Sequence, residues 1–111
     1  MTRILLAEDD DSLRGFLARA LERAGYEVTA CADGEEALEY LFGRGKYAGR
    51  NVGEQPKVVF LDLKLPKLNG IDVLRSIRMD NRTSRMPVVL LTSSDEPQDL
   101  IDGYDNGANS Y

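Results

Sequence analysis

Acidic side chains follow two apolar runs of the sequence, at the point where each run ends. Glu8 and Asp9 come directly after residues 4–7, and Asp62 comes directly after residues 58–61. If the two runs are neighbouring parallel strands, the three carboxylates meet at one edge of a sheet. Carboxylates so close together repel one another, so their clustering is best explained by a hard divalent cation bound among them. The sequence therefore predicts a metal site.

The elements that must position these acids follow from the hydrophobic pattern. Residues 4–7, 58–61 and 88–91 are uninterrupted apolar runs, typical of strands covered on both faces of a parallel sheet, and residues 28–31 indicate a weaker edge strand. Helical spacing of apolar residues follows each strand. The order βαβαβαβα, with a fifth strand barely begun at residues 110–111, predicts an α/β fold with an open, doubly wound parallel sheet.

Capping residues predict where the helices begin and end. Asp11 is the expected N-cap of the first helix, whose apolar stripe includes Leu13 and Phe16, and Gly25 is its stop. Asp33 is expected to start the second helix, and the third begins after Asn69 and Gly70. Pro97 suits the first turn of a fourth helix, which Asn106 and Gly107 would end.

Composition excludes several classes of function. The 111 residues suit a single domain, and the net charge of −5 without a basic stripe argues against nucleic acid or an anionic membrane as a partner. No run approaches the roughly 20 apolar residues of a membrane span, and the chain is expected to be cytoplasmic. It contains no histidine, which excludes serine–histidine catalysis and most zinc sites.

In doubly wound sheets the active crevice lies outside the carboxyl ends of the strands, where Glu8, Asp9, Asp62 and Thr92 all fall. The sequences around these residues resemble the receiver domains of two-component response regulators over nearly the whole chain. ILLAEDD at 4–10 resembles the first strand with its acidic pair, and LDLKLP at 61–66 the phosphoacceptor strand. PKLNG at 66–70 resembles the following turn, and VVLLTS at 88–93 the fourth strand. The resemblance implies the flavodoxin-like strand order 2-1-3-4-5, with the fifth strand incomplete.

The resemblance also implies a chemistry for the acidic cluster. Asp62 would accept a phosphoryl group from a sensor histidine kinase or a phosphotransfer protein. Asp9 and Asp62 would bind Mg²⁺ directly, Glu8 would bind it through water, and the backbone carbonyl of Lys64 would supply a further oxygen. Such a domain is a regulatory phosphoacceptor rather than an enzyme, and assists only its own phosphorylation and dephosphorylation.

Other positions would read out or tune the phosphorylated state. By the same resemblance Thr92 would supply the switch hydroxyl and Tyr111 the aromatic switch, which together would alter a surface for a downstream protein partner. Lys64 and Ser94 would flank the path of an attacking water and set the phosphoryl lifetime; a solvated lysine and a helix-start serine are the alternative interpretation.

The sequence departs from the family in two places. The lysine expected after Tyr111, the rest of the fifth strand and the fifth helix are not in it, so residues 1–111 are interpreted as one C-terminally incomplete receiver domain. Truncation, engineering, or completion by a partner or homo-oligomer would explain this. The extended loop at 43–55 resembles an insertion in single-domain receivers associated with phytochrome-type kinases, or is a mobile surface loop.

The residues bear on three alternatives to a phosphoacceptor role. An aspartyl-nucleophile phosphatase needs a second acid two residues after Asp62, where Lys64 stands. A calcium loop beginning at Asp9 fails because Leu13 and Ala20 occupy ligand positions. The strongest alternative is a receiver-fold binding module that is not functionally phosphorylated.

Overall fold

Four parallel strands form one sheet in the order β2-β1-β3-β4. The computed structural model describes residues 1–91 and residue 107. Its strands are β1 (Arg3–Ala7), β2 (Glu27–Cys31), β3 (Val58–Asp62) and β4 (Val88–Leu91), and its α-helices are α1 (Asp11–Arg23), α2 (Gly34–Phe42) and α3 (Gly70–Met79). The predicted α/β fold and the order of the first four strands are confirmed. The helix expected from Pro97 and the fifth strand lie outside the described residues.

The core lies mainly between the sheet and helices α2 and α3. Alternate strand residues such as Leu5, Val59 and Leu61 are completely buried there against Leu74 and Ile77 of α3. Helix α1 contacts β1 and β2, so helices cover both faces of the sheet. Burial on both faces explains why these strands appear in the sequence as uninterrupted apolar runs.

The start of α1 differs from the sequence-based expectation. Asp10, not Asp11, is the N-cap: its backbone is extended and its side chain accepts a hydrogen bond from the Leu13 amide at 2.8 Å. Three consecutive aspartates at 9–11 offered several possible caps, and only the backbone geometry distinguishes them. The apolar stripe of α1 is also partly exposed, because Leu13 and Phe16 retain 43% and 63% of their accessible surface. The predicted start at Asp33 is correct, since Asp33 is the N-cap of α2. Helix α3 begins at Gly70, one residue before the expected start, with Asn69 as its N-cap.

The loop from 43 to 55 is organised around one arginine. Arg50 donates hydrogen bonds to the Tyr40 and Glu54 carbonyls at 2.6 and 2.9 Å, and to the Gln55 side chain at 2.9 Å. Its guanidinium also lies over the Tyr40 ring, 4.0 Å from the centroid. A short 3₁₀ helix, Gly45–Tyr47, packs Tyr47 edge-on against Tyr40. The loop is therefore tied to the end of α2 and to the residues before β3.

No helix in the part of the chain that the structure describes is long and apolar enough to cross a membrane.

Candidate phosphoacceptor and metal site

The register of β1 and β3 brings three carboxylates together. Ala7 pairs with Leu61, so the residues that follow, Glu8 and Asp62, lie side by side at the carboxyl edge of the sheet. Carboxylate oxygens of Glu8, Asp9 and Asp62 all lie within 4.8 Å of one another. The convergence expected from two neighbouring parallel strands is therefore present in the fold.

Glu8 is the buried member of this cluster and keeps only 4% of its accessible surface. Burial is the main cause that raises the pKa of its carboxyl, and the nearby carboxylates of Asp62 and Asp9 act in the same direction, whereas a hydrogen bond from the Asp10 amide lowers it; together they bring the pKa to about 7. That amide donates to Glu8 Oε2 at 3.1 Å. Near neutral pH Glu8 is therefore poised between its protonated and ionised forms.

Asp62 is only partly buried, and the start of α3 packs closely against its backbone. The Lys64 amide donates to Asp62 Oδ1 at 2.9 Å, which fixes the carboxylate. The Gly70 amide donates to the Leu63 carbonyl at 2.9 Å. A Cβ at Gly70 would lie 2.3 Å from the Asp62 carbonyl oxygen, so only glycine allows α3 to begin this close to the acid.

A second glycine, Gly34, allows the segment between β3 and α3 to pack closely against the start of α2. A Cβ at Gly34 would lie 1.9 Å from the Leu68 carbonyl oxygen, so the turn after β3 packs directly on the start of α2. Lys67, in this turn, adopts a φ of +67° and places its ammonium 3.6 Å from the Asp33 carboxylate. The loop that follows Asp62 is thus fixed by α2 as well as by α3.

Arg14 is a residue of the site that the sequence did not reveal. Its guanidinium donates to the backbone carbonyls of Glu8 at 3.0 Å and Asp9 at 3.3 Å, and pairs with the Asp11 carboxylate. It therefore holds the backbone that carries two of the three acids. The only signal available was an arginine three residues after Asp11 on a helix, which is commonplace on protein surfaces.

The donor set fits a hard divalent cation. All three side chains offer oxygen, and no sulfur or imidazole lies among them. In the described residues no cationic side chain forms an ion pair with any of the three. Mg²⁺ and ions like it bind carboxylate oxygens through such arrangements and offset the repulsion between them.

Comparison with known families agrees with this geometry. The pattern of the response regulator receiver domain matches residues 4–111, which is almost the whole chain. The chain belongs to the response regulator receiver family. Receiver domains are regulatory phosphoacceptor modules that bind Mg²⁺ at an acidic pocket of this kind.

Individual relatives extend the comparison. This receiver domain is 38% identical over 111 residues to the DNA-binding dual master transcriptional regulator RpaA of Synechocystis, and spans 42% of that protein's length. It superimposes with a TM-score of 0.90 on the Mn²⁺-bound response regulator Rcp1, at 32% identity over 100% of this chain and 79% of the other. It superimposes equally well on the phosphorylated cyanobacterial phytochrome response regulator RcpA, at 36% identity over 99% of this chain and 78% of the other.

Of the remaining predicted site residues, the structure describes Lys64 alone. Lys64 is exposed and lies directly beside Asp62 through its backbone amide. Thr92, Ser94 and Tyr111, the predicted switch and tuning residues, lie outside the described residues. The structure therefore brings together the acids and Lys64 and leaves the readout residues as predictions.

Proposed function

We propose that this receiver domain is the phosphoacceptor module of a two-component phosphorelay and that Asp62 accepts the phosphoryl group. The observation that carries the proposal is the convergence of Glu8, Asp9 and Asp62 within 4.8 Å at the carboxyl edge of the sheet. In the transfer, an Asp62 carboxylate oxygen forms a bond to phosphorus. The bond from phosphorus to the phosphohistidine nitrogen breaks, and its electron pair stays on that nitrogen.

The three acids have different proposed roles, which follow from how exposed each side chain is. Asp62 is accessible to a donor, and the hydrogen bond from the Lys64 amide to Oδ1 orients its carboxylate for attack. In this proposal Asp9 and Asp62 bind Mg²⁺ directly, buried Glu8 binds it through water, and the Lys64 carbonyl supplies another oxygen. A bound divalent cation would offset the charge that develops on the transferred phosphoryl group. The Mn²⁺-bound form of Rcp1 supports this assignment.

The response to phosphorylation is assigned to residues beyond β4. Thr92 would donate its hydroxyl to a phosphoryl oxygen, and Tyr111 would turn inward with it, which would favour one of two packings of the surface used by a downstream protein. Lys64 and Ser94 would set how readily water reaches the acyl phosphate. These roles rest on the family resemblance.

A sensor histidine kinase, or a phosphotransfer protein, is the proposed phosphodonor. The likeness to RcpA, which is described as a phytochrome response regulator, supports a phytochrome-type kinase. RpaA is described as DNA-binding, but this chain spans 42% of its length, and the absence of a nucleic-acid partner remains a prediction.

Mass spectrometry after incubation with Mg²⁺ and a small acyl-phosphate donor tests the assignment. The chain should gain one phosphoryl group at Asp62, and chelation of Mg²⁺ should prevent it. Asp62→Asn should abolish labelling, whereas Asp33→Asn should retain it. Asp33 follows β2 at the same carboxyl edge of the sheet, and asparagine keeps its capping role. Equal labelling of Asp62→Asn would refute the acceptor assignment, and an unlabelled parent chain would favour the non-phosphorylated binding module.

A further inference from the structure

Two grooves lie opposite the acidic edge, one beside the amino ends of β3 and β4 and the other at the ends of α2 and α3. The first, of about 550 Å³, is lined by Lys57, Arg82, Arg85 and Met86 together with neighbouring residues. The second, of about 370 Å³, has Phe42, Arg44, Met79, Asp80 and again Arg82 in its wall. Arg82 lies in the wall of both, so the two adjoin, and we call them the basic grooves.

The charge of the basic grooves is opposite to that of the chain. Four cationic side chains and one carboxylate line them, whereas the whole chain carries a net charge of −5. Lys57 and Arg85 are exposed, and neither forms an ion pair with a carboxylate in the described part of the chain.

An ion pair between Arg82 and Asp80 indicates that the basic grooves can accommodate a carboxylate. Arg82 grips the Asp80 carboxylate with two hydrogen bonds, Nε to Oδ1 at 3.0 Å and Nη2 to Oδ2 at 2.8 Å. This pairing lowers the pKa of Asp80 to about 2, so the carboxylate stays ionised. The planar guanidinium of arginine matches a carboxylate in this bidentate way.

Apolar surface accompanies the charges. Met79 retains 85% of its accessible surface although it ends a helix whose other face is buried. The half-buried Phe42 ring has the guanidinium carbons of Arg44 and Arg82 within 5.3 and 4.9 Å of its centroid. Pro56 and Met86 add buried apolar side chains to the first groove. Cations beside the exposed Met79 and the half-buried Phe42 suit a ligand that has carboxylates next to apolar groups.

We propose that the basic grooves bind an acidic segment of a partner protein in which glutamate or aspartate residues alternate with apolar ones. Carboxylates of the segment pair with Lys57 and Arg85, and its apolar side chains pack on Met79 and Phe42. A short segment fits inside the positive surface. A nucleic acid or an anionic membrane extends beyond it and meets the field of an acidic protein, which disfavours those partners.

Fluorescence anisotropy with a labelled peptide of alternating glutamate and leucine tests this proposal on the full chain. The peptide should bind more tightly than its glutamine–leucine counterpart, and added salt should weaken it. The double variant Lys57→Glu/Arg85→Glu should lower the affinity about tenfold or more, because each reversed charge now repels the peptide. Arg19→Glu/Arg23→Glu, on exposed α1 positions with the same change in net charge, should alter it less than about threefold.

Further measurements guard against misfolding and other ligands. Lys57→Gln/Arg85→Gln should weaken the peptide by a smaller factor than the charge reversal, and thermal melts should coincide for all variants. Equal peptide affinity for the parent chain and the groove reversal would overturn the proposal, as would the absence of any binding. Tighter binding of a single-stranded oligonucleotide of matched charge would overturn it in favour of a nucleic-acid surface.

Discussion

Replacing Glu8 by glutamine removes a carboxyl group whose pKa the fold raises from 4.5 to about 7. In the unfolded chain this group ionises near 4.5, but the folded chain keeps its proton until about pH 7. The fold therefore binds more protons than the unfolded chain between these values, and its stability falls as the pH rises through them. At 1.36 kcal/mol for each tenfold change in proton affinity, the loss is about 3 kcal/mol.

The glutamine variant lacks this titration while keeping a side chain of the same size. Its free energy of unfolding, compared with that of the parent chain, should therefore increase by about 3 kcal/mol between acid and mildly alkaline pH. Urea unfolding followed by circular dichroism in the presence of a chelator measures this difference at each pH. Glu22→Gln, at an exposed position on α1, is the matched control and should show no such trend.

A divalent cation should favour the ionised form of Glu8, whereas burial favours its protonated form. Because bound carboxylates must be ionised, stabilisation of the parent chain by Mg²⁺ should grow as the pH rises through 7. The stabilisation should be smaller and less dependent on pH in Glu8→Gln. Stability curves for the parent and Glu8→Gln that run parallel across the whole pH range would refute the assignment of Glu8 as a buried, proton-binding member of the cluster.

Two further predictions concern packing around the site. Gly70→Ala should cost about 1–3 kcal/mol in urea unfolding and slow the labelling of Asp62, because its Cβ meets the Asp62 carbonyl. Gly15→Ala, where only the flexible Arg19 side chain is near, should be neutral or stabilise by about 0.5–1 kcal/mol; equal losses in both would contradict the close approach. Arg50→Met should cost about 1–3 kcal/mol and expose the loop at 43–55 to limited proteolysis, since it removes hydrogen bonds to the Tyr40 and Glu54 carbonyls. Arg44→Met, in the same loop, should have little effect on cleavage.

The acidic cluster could be predicted from the sequence because it depends only on which segments are strands and on which strands are neighbours. Uninterrupted apolar runs indicate buried parallel strands, and the carboxyl ends of parallel strands meet at one edge. Glu8 and Asp62 therefore had to approach each other once β1 and β3 were neighbours. What the pattern could not supply is the difference between the acids. The burial of Glu8 and the partial exposure of Asp62 depend on how the later connections close over the edge.

Cationic residues were the main omission, for a different reason. Arg14, Arg50, Lys57 and Arg85 act through long, flexible side chains that follow no helix or strand period. Their roles depend on which carbonyls or grooves the fold brings within reach, so the sequence around them carries no signal. The exposure of Phe16 shows the converse: helical spacing predicts an apolar stripe, but not whether a neighbouring element covers all of it.

The acidic edge and the basic grooves lie at opposite ends of β3, and distance limits how far one can influence the other directly. Lys57 and Asp62 are separated by five residues of extended chain, roughly 16 Å at 3.3 Å per residue. Two unit charges at that distance interact by about 0.3 kcal/mol through water and about 1 kcal/mol at an effective dielectric constant of 20, and salt screens the part that passes through solvent. Both values are below the 1.4 kcal/mol that changes an affinity tenfold. Direct electrostatics therefore leaves the two sites nearly independent. A larger coupling between phosphorylation of Asp62 and binding in the grooves requires a change in the packing of the elements between them, and linkage makes any such effect on affinity equal in both directions.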